Sequence, residues 1–260
     1  MNTLFVGYGR MGSAIGESWL AKGLVKRLLA VDPHAGDVKA ECYGQLSELP
    51  EVEFQLVVIA VKPGYVAQVL RELPEQLVRN AVIVSVAAGV TLATLKAAAP
   101  HSRALVRVMP NTPVLVSAGC TALFSETVSP DVGDLLSDLF GAVGNAYWVK
   151  SESDLDIVTA ISGSGPAYFH LFCEAMSDAA IALGLDESLA RSLVTDTASG
   201  AARLQEQPGA RFDALREAVT SPNGTTAAAI STFEQSEALR KLVNGAVQAA
   251  WQRSVELSGA

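Results

Sequence analysis

Three glycines stand near the start of the chain as Gly7-x-Gly9-x-x-Gly12, and a carboxylate, Asp32, follows twenty residues after the last of them. This spacing suits one kind of chemistry, the holding of a dinucleotide pyrophosphate by backbone N–H groups at a helix start. Gly7 permits a tight turn, Gly9 lets the backbone approach the phosphates, and Gly12 lets the helix pack close to its strand. Arg10 and Met11 fill the positions between and complete the cofactor-binding set. The short apolar run Leu4-Phe5-Val6 precedes the glycines and a helical pattern over residues 11–22 follows, which is the context that separates a nucleotide fingerprint from a chance glycine turn. Asp32 closes the next apolar run. A carboxylate there accepts hydrogen bonds from ribose hydroxyls and repels a 2′-phosphate, and residues 33–36 contain no Lys or Arg to clamp one. The expected cofactor is therefore NAD(P)H with a preference for NADH. The alternative for Asp32 is a helix or turn cap.

A second candidate lies far along the chain, in Thr220-Ser221-Pro222-Asn223-Gly224-Thr225-Thr226. Pro and Gly fix a turn, Ser and Thr bring hydroxyls, and the N–H groups of a helix start would suit a carboxylate. Taken alone, the segment reads as a capped helix N-terminus in a bundle. The remaining polar residues offer less. His34, His101 and His170 are widely spaced and fall in no ligand motif, and Lys62 before Pro63 suits an extended turn. Cys42, Cys120 and Cys173 form no C-x-x-C pair, so buried free thiols are expected, with neither a disulfide nor a metal site.

The elements that must position these residues fall into two halves. Continuous apolar runs at residues 4–6, 28–31, 56–61, 82–86 and 104–108 alternate with helical patterns, as in a parallel sheet covered on both faces. Beyond residue 150 the pattern holds no strand. Helices are expected over 154–161, 168–183 and 187–206, with a break at 162–166, and two more after the turn at 221–224. The fold class is α/β: a Rossmann-type parallel-sheet domain over residues 1–149, then an all-α domain over residues 150–260.

Seven segments in order give the chain a resemblance to the pyrroline-5-carboxylate reductase family. They are Gly7 to Gly12, Ala60-Val61-Lys62-Pro63, Val86-Ala87-Ala88-Gly89-Val90, Val108-Met109-Pro110-Asn111-Thr112-Pro113, Ser162-Gly163-Ser164-Gly165-Pro166-Ala167-Tyr168, Glu174-Ala175-Met176-Ser177-Asp178-Ala179, and Thr220 to Thr226. The resemblance implies reduction of 1-pyrroline-5-carboxylate to L-proline, the last step of proline biosynthesis, by hydride transfer to a cyclic imine. It implies that Ala60, Val61, Lys62 and Pro63 line the cofactor together with Ala87, Ala88 and Gly89. It implies that Ser221, Gly224, Thr225 and Thr226 receive the substrate carboxylate, with the Thr226 hydroxyl facing the ring nitrogen as the catalytic contact, and that the helical domain interlocks with its twin. Where the family has two glycines, this chain has Asn223-Gly224; Asn tolerates a left-handed backbone better than most residues.

Charge and composition narrow the partners. The net charge is −8 and no basic stripe exists, which argues against nucleic acid. No leader pattern or membrane-length apolar run is present, so the expected address is cytoplasmic and no membrane is a partner. Helices rich in Ala and Leu all round, such as 179–183 and 242–251, point to at least a homodimer. Three rival readings remain. A 3-hydroxyacid dehydrogenase would use a lysine acid in its helical domain, and no lysine lies between Lys150 and Lys241. An imine reductase for another cyclic imine would share the layout. A non-catalytic dinucleotide sensor would have no use for a carboxylate pocket.

Overall fold

The computed structural model describes residues 1–259. The chain divides into two compact units, Met1–Pro166 with residues 249–259, and Ala167–Gln248.

The first unit holds the sheet. Its strands are β1 (Asn2–Val6), β2 (Arg27–Val31), β3 (Glu41–Tyr43), β4 (Leu56–Ile59), β5 (Val82–Ser85), β6 (Ala104–Met109), β7 (Gly119–Phe124) and β8 (Gly144–Trp148). They lie in the order β3-β2-β1-β4-β5-β6-β7-β8. The first six run parallel, β7 runs antiparallel to β6, and β8 is parallel to β7. The chain reverses between β1 and β4, its neighbour in the sheet, and that switch point is where an open α/β sheet presents its ligand crevice. Six helices accompany the sheet: α1 (Arg10–Ala21), α2 (Val66–Glu72), α3 (Glu75–Val78), α4 (Leu92–Ala98), α5 (Pro130–Gly141) and α6 (Asp154–Val158).

The central strands β1, β2, β4, β5 and β6 are mainly apolar because both faces are covered. Side chains alternate across a strand, so Phe5, Leu28, Ala30, Leu56 and Val58 join one cluster with Ile15 and Trp19 of α1 and Leu136 and Phe140 of α5. Leu4, Val6, Leu29, Val57 and Ile59 join the other with Leu70 of α2, Leu77 of α3 and Leu95 of α4. Trp19 is fully buried. Its ring meets Phe140 edge-on at 5.4 Å, and its Nε1–H donates to the Leu139 carbonyl at 2.6 Å, so the indole carries no unsatisfied donor into the core.

Three strands were not legible as such. β3 is short and polar, and β7 and β8 are broken by small and polar residues. The stretch read as a strand over 56–61 ends at Ile59, and residues 60 and 61 turn out of the sheet toward Pro63. The break expected at 162–166 is instead a π-helical turn over Thr159–Gly163, in which Ser164 N–H donates to the Thr159 carbonyl at 2.8 Å. The cysteines correct the expectation of burial: Cys42 is exposed, Cys120 and Cys173 are half-buried, and all three are free.

The second unit is helical. The helices after α6 are α7 (Gly165–Ala182), α8 (Glu187–Gln205), α9 (Phe212–Ala218), α10 (Thr225–Glu234) and α11 (Ala238–Ser258). Gly184, at φ +102°, ends α7, and Asp186 caps α8 by accepting from Ser188 N–H at 2.9 Å and Leu189 N–H at 3.1 Å. α11 begins in this unit, and its residues from 249 onward pack in the first. No helix among the described residues is long and apolar enough to cross a membrane.

Candidate functional site

The parallel ladder brings four loops side by side at the carboxyl ends of β2, β1, β4 and β5. Gly7 N–H donates to the Val31 carbonyl at 2.9 Å, Ala60 N–H to Val6 at 2.7 Å, and Val86 N–H to Ile59 at 3.0 Å. The glycine turn, Asp32, residues 60–63 and residues 87–89 are thereby gathered on one edge of the sheet.

The three glycines differ in what they require. Gly7 has φ +90°, and a Cβ there would lie 2.7 Å from the backbone carbon and oxygen of Ala60. A Cβ on Gly12 would lie 2.6 Å from the Gly7 carbonyl oxygen, so α1 could not approach β1 as it does. Around a Cβ on Gly9, no atom of the described residues lies within 4 Å. Gly9 is the N-cap residue of α1 and carries no capping side chain, so the first N–H groups of a 12-residue helix face outward beside open space. Folding explains Gly7 and Gly12. Gly9 leaves open space at this helix start, where a dinucleotide pyrophosphate could be held. Arg10 is exposed and Met11 half-buried at the same helix start.

Asp32 takes the capping part of its sequence reading. Its Oδ2 accepts from Tyr8 N–H at 2.7 Å and its Oδ1 from His34 N–H at 2.8 Å, so the carboxylate ties the glycine turn to the loop after β2. Each oxygen keeps a further lone pair for a ribose hydroxyl. Tyr8 is buried and donates its phenol to Glu17 Oε1 at 3.0 Å, and Glu17 also accepts from Lys39 N–H at 3.1 Å and Ala40 N–H at 3.2 Å. Burial first, then the charge and hydrogen bond of Glu17, pushes the Tyr8 phenol far above its ordinary range. Sequence reasoning passed over Tyr8 and Glu17; an aromatic inside a glycine fingerprint was the available signal.

Lys62 is exposed and extended (φ −59°, ψ 146°), as the following proline requires, and Pro63 opens a 3-10 turn over Pro63–Tyr65. Ala87, Ala88 and Gly89 are half-buried, and Gly89 has φ +76°.

The Thr220 to Thr226 segment belongs to the other unit. Asn223 takes the left-handed backbone, φ +61°, and Gly224 is the N-cap of the 10-residue α10. The expected capped start is not there: Gly224 supplies no side-chain acceptor, whereas Asp186 and Thr91 cap α8 and α4. Ala228 N–H is the first to return within the helix, to the Gly224 carbonyl at 3.2 Å, which leaves the N–H groups of Thr225, Thr226 and Ala227 ahead of the helical ladder. The Ser221 hydroxyl oxygen sits where a Cβ on Gly224 would come within 2.5 Å of it, so a side chain at 224 would turn this hydroxyl away from the helix start. Thr226 is half-buried and Thr225 and Ser221 are exposed. Uncapped N–H donors with flanking hydroxyls suit a carboxylate.

Residues 152–257 match the family model described as pyrroline-5-carboxylate reductase dimerisation, and residues 3–89 match the model described as NADP oxidoreductase, coenzyme F420-dependent. The pyrroline-5-carboxylate reductase of Pseudomonas aeruginosa is 39% identical, over 98% of this chain and 96% of the relative. The chain belongs to the pyrroline-5-carboxylate reductase family. The enzyme of that name from Pasteurella multocida is 38% identical over 97% of this chain and 96% of its own. Among solved structures, the pyrroline-5-carboxylate reductase of Coxiella burnetii superimposes with a TM-score of 0.90 at 35% identity, covering 99% of this chain and 98% of that one. The pyrroline carboxylate reductase of Plasmodium falciparum, solved with NADP bound, gives 0.88 at 29% identity over 99% and 98%.

Proposed function

We propose that this chain reduces 1-pyrroline-5-carboxylate to L-proline, with NAD(P)H supplying a hydride to the carbon of the ring's C=N bond. The observation that carries the proposal is near-full-length identity of 38–39% to reductases of that name, in a chain whose α1 and α10 both start on an uncapped glycine.

On this reading residues 1–149 act as the nucleotide domain and residues 150–260 as the substrate and dimerisation domain. Gly7, Gly9 and Gly12, with Arg10 and Met11, hold the pyrophosphate on the start of α1. Asp32 accepts from the ribose hydroxyls, and its charge, with no Lys or Arg over 33–36, favours NADH over NADPH. Ala60, Val61, Lys62, Pro63, Ala87, Ala88 and Gly89 line the cofactor along the carboxyl ends of β4 and β5.

Ser221, Gly224, Thr225 and Thr226 take the substrate carboxylate, so the ring is held by the one group that does not change during reaction. Thr226 Oγ1 hydrogen-bonds the ring nitrogen as it turns from imine to amine. An alcohol is too weak an acid to protonate that nitrogen by itself, so the proton comes with an already protonated substrate or through water. Holding a ring in near-attack geometry accounts for several kcal/mol of barrier lowering.

A homodimer or larger homo-oligomer follows from the apolar side chains that the helical unit leaves uncovered, among them Phe169 at 73% and Leu183 at 90% exposure. The reaction is placed in the cytoplasm. The test is a steady-state assay of NADH and NADPH oxidation with pyrroline-5-carboxylate; binding of cofactor with no turnover would leave only the sensor reading.

A further inference from the structure

The loop after β5 is held from two sides by a short segment that the proposed chemistry does not use. On one side, Glu152 Oε1 accepts from the backbone N–H of Leu92 at 2.7 Å, at the first turn of α4, and from Arg107 Nη1 at 2.7 Å. Arg107 is buried on β6, only 6% exposed, so this ion pair is fixed from inside the sheet. On the other side, Asp156 of α6, 9% exposed, accepts at Oδ1 from the Ser254 hydroxyl at 2.7 Å and the Ser258 hydroxyl at 3.0 Å. Ser254 and Ser258 are four residues apart and so share one face of α11. The same end of α11 lies against Gly89, where a Cβ would come within 3.0 Å of the Leu257 carbonyl oxygen. Leu155, between the two acids, is buried in one cluster with Val90 and Leu92.

We propose that Glu152 and Asp156 are positioning residues that bracket the loop 86–92 between β6 and the end of α11, and so hold residues 87–89 in their cofactor-binding shape. This rests on the reading of Ala87, Ala88 and Gly89 as cofactor-lining. Glu152 fixes the α4 end of the loop to the sheet. Asp156 fixes α11, and α11 closes the space over Gly89. A left-handed glycine with a helix against it has one backbone conformation available, whereas without the helix it is free to leave it.

The test uses the full-length chain with Asp156→Ala, Asp156→Asn and the double variant Ser254→Ala/Ser258→Ala. Amide hydrogen exchange of the cofactor-free protein reads the loop directly. Asp156→Ala and the double variant should speed exchange over residues 86–92 about tenfold, on the scale of losing a hydrogen bond to a charged group, with β1 and β4 unchanged. Asp156→Asn keeps an acceptor oxygen and should stay near wild type. In fluorescence titrations with NADH, Asp156→Ala and the double serine variant should bind about fivefold more weakly or worse, by the partial transfer of that loss to the ligand. Where Asp156→Ala fails to fold, the double serine variant carries the same test. Unchanged exchange at 86–92, equal acceleration across β1, β4 and β5, or faster local exchange with unchanged NADH affinity would each overturn the bracket. Failure of the cofactor reading is separate: the wild-type chain would then bind neither NADH nor NADPH in the same titration, and the proposal would fall with it.

Discussion

Replacing Gly9 or Gly7 with alanine adds the same methyl group two residues apart in one turn, and the structure assigns the two changes opposite consequences. At Gly9 the backbone is extended (φ −69°, ψ −164°), a conformation alanine adopts freely, and the methyl meets no atom of the described residues within 4 Å. Gly9→Ala should therefore leave the fold unharmed, or stabilise it by up to about 1 kcal/mol through the unfolded chain. The space the methyl fills is the space proposed for the pyrophosphate. Pushing that group away weakens one or two charge-assisted hydrogen bonds, about 2–4 kcal/mol together, or about 30- to 700-fold in Kd. At Gly7 the methyl would lie 2.7 Å from Ala60 backbone atoms at φ +90°. The left-handed backbone costs about 1–2 kcal/mol and the overlap about 1–3 more, since the opposing atoms belong to a strand end and cannot rotate away. At about 2–4 °C per kcal/mol for a chain of this size, Gly7→Ala should melt about 4–20 °C lower. Thermal melts of the cofactor-free variants and fluorescence titration with NADH check both halves. A Gly9→Ala protein that melts normally and binds NADH with native affinity would refute the placement of the pyrophosphate at the start of α1.

Thr226→Ala should slow turnover by ~10–1000-fold, the range for losing one positioned polar contact, and unchanged turnover in rapid-mixing assays would remove Thr226 from the chemistry. Asp32→Asn, which keeps acceptor oxygen toward the backbone but loses the charge, should shift the NADPH-to-NADH ratio of kcat/KM toward NADPH by about tenfold or more, the scale of removing a like charge; a constant ratio would leave Asp32 as a loop cap alone. Asp186 is held below the usual carboxylate range by the Ser188 hydroxyl first, then by the Leu189 and Ser188 N–H groups. A carboxyl depressed in the folded state stabilises it above the unfolded value of about 3.9, and the contribution disappears as pH falls through the folded value. Asp186→Ala should lower Tm at pH 7 and approach the wild-type curve below about pH 4, and a Tm gap independent of pH would show that the cap acts without its charge.

The sequence was most legible where one residue type answers one physical demand. Five apolar runs located the central strands because a strand covered on both faces has no polar side to confuse its period. Pro222 and Asn223-Gly224 marked a turn for the same reason. The last two strands were harder. β7 begins Gly119-Cys120-Thr121 and β8 reads Gly144-Asn145-Ala146-Tyr147-Trp148, and neither shows an apolar period. β7 is recognised only by its pairing with β6, through partners such as Val108 and Leu123, which is a relation between distant segments. The π-helical turn was read as a break because Gly163 and Gly165-Pro166 are poor residues for a helix interior. Its carbonyl at Ser162 is met by Asn111 Nδ2 at 3.0 Å, a tertiary contact that offsets the local preference. The Glu152 and Asp156 contacts were hidden for a plainer reason. Neither residue sits in a motif, and their partners lie on β6, on α4 and, 98 residues on from Asp156, on α11.

The two proposed binding points share a device that the net charge makes intelligible. A protein of net charge −8 repels an anionic dinucleotide and an anionic imino acid at long range, so attraction has to be local. Arg and Lys could provide it, but each would have to order a long, rotamer-rich side chain against the ligand. Helix N–H groups attract an anion without a titrating proton, provided no side chain of the protein takes them first. Ser, Thr, Asp or Asn at the N-cap would take them, as Asp186 does on α8. Glycine at the N-cap of α1 and of α10 gives up that capping stability and leaves the donors for a ligand. At an N-cap, glycine gives up only about a few tenths of a kcal/mol against a capping side chain, so a sheet domain and a helical one can each leave a helix start free for a ligand at little cost to stability.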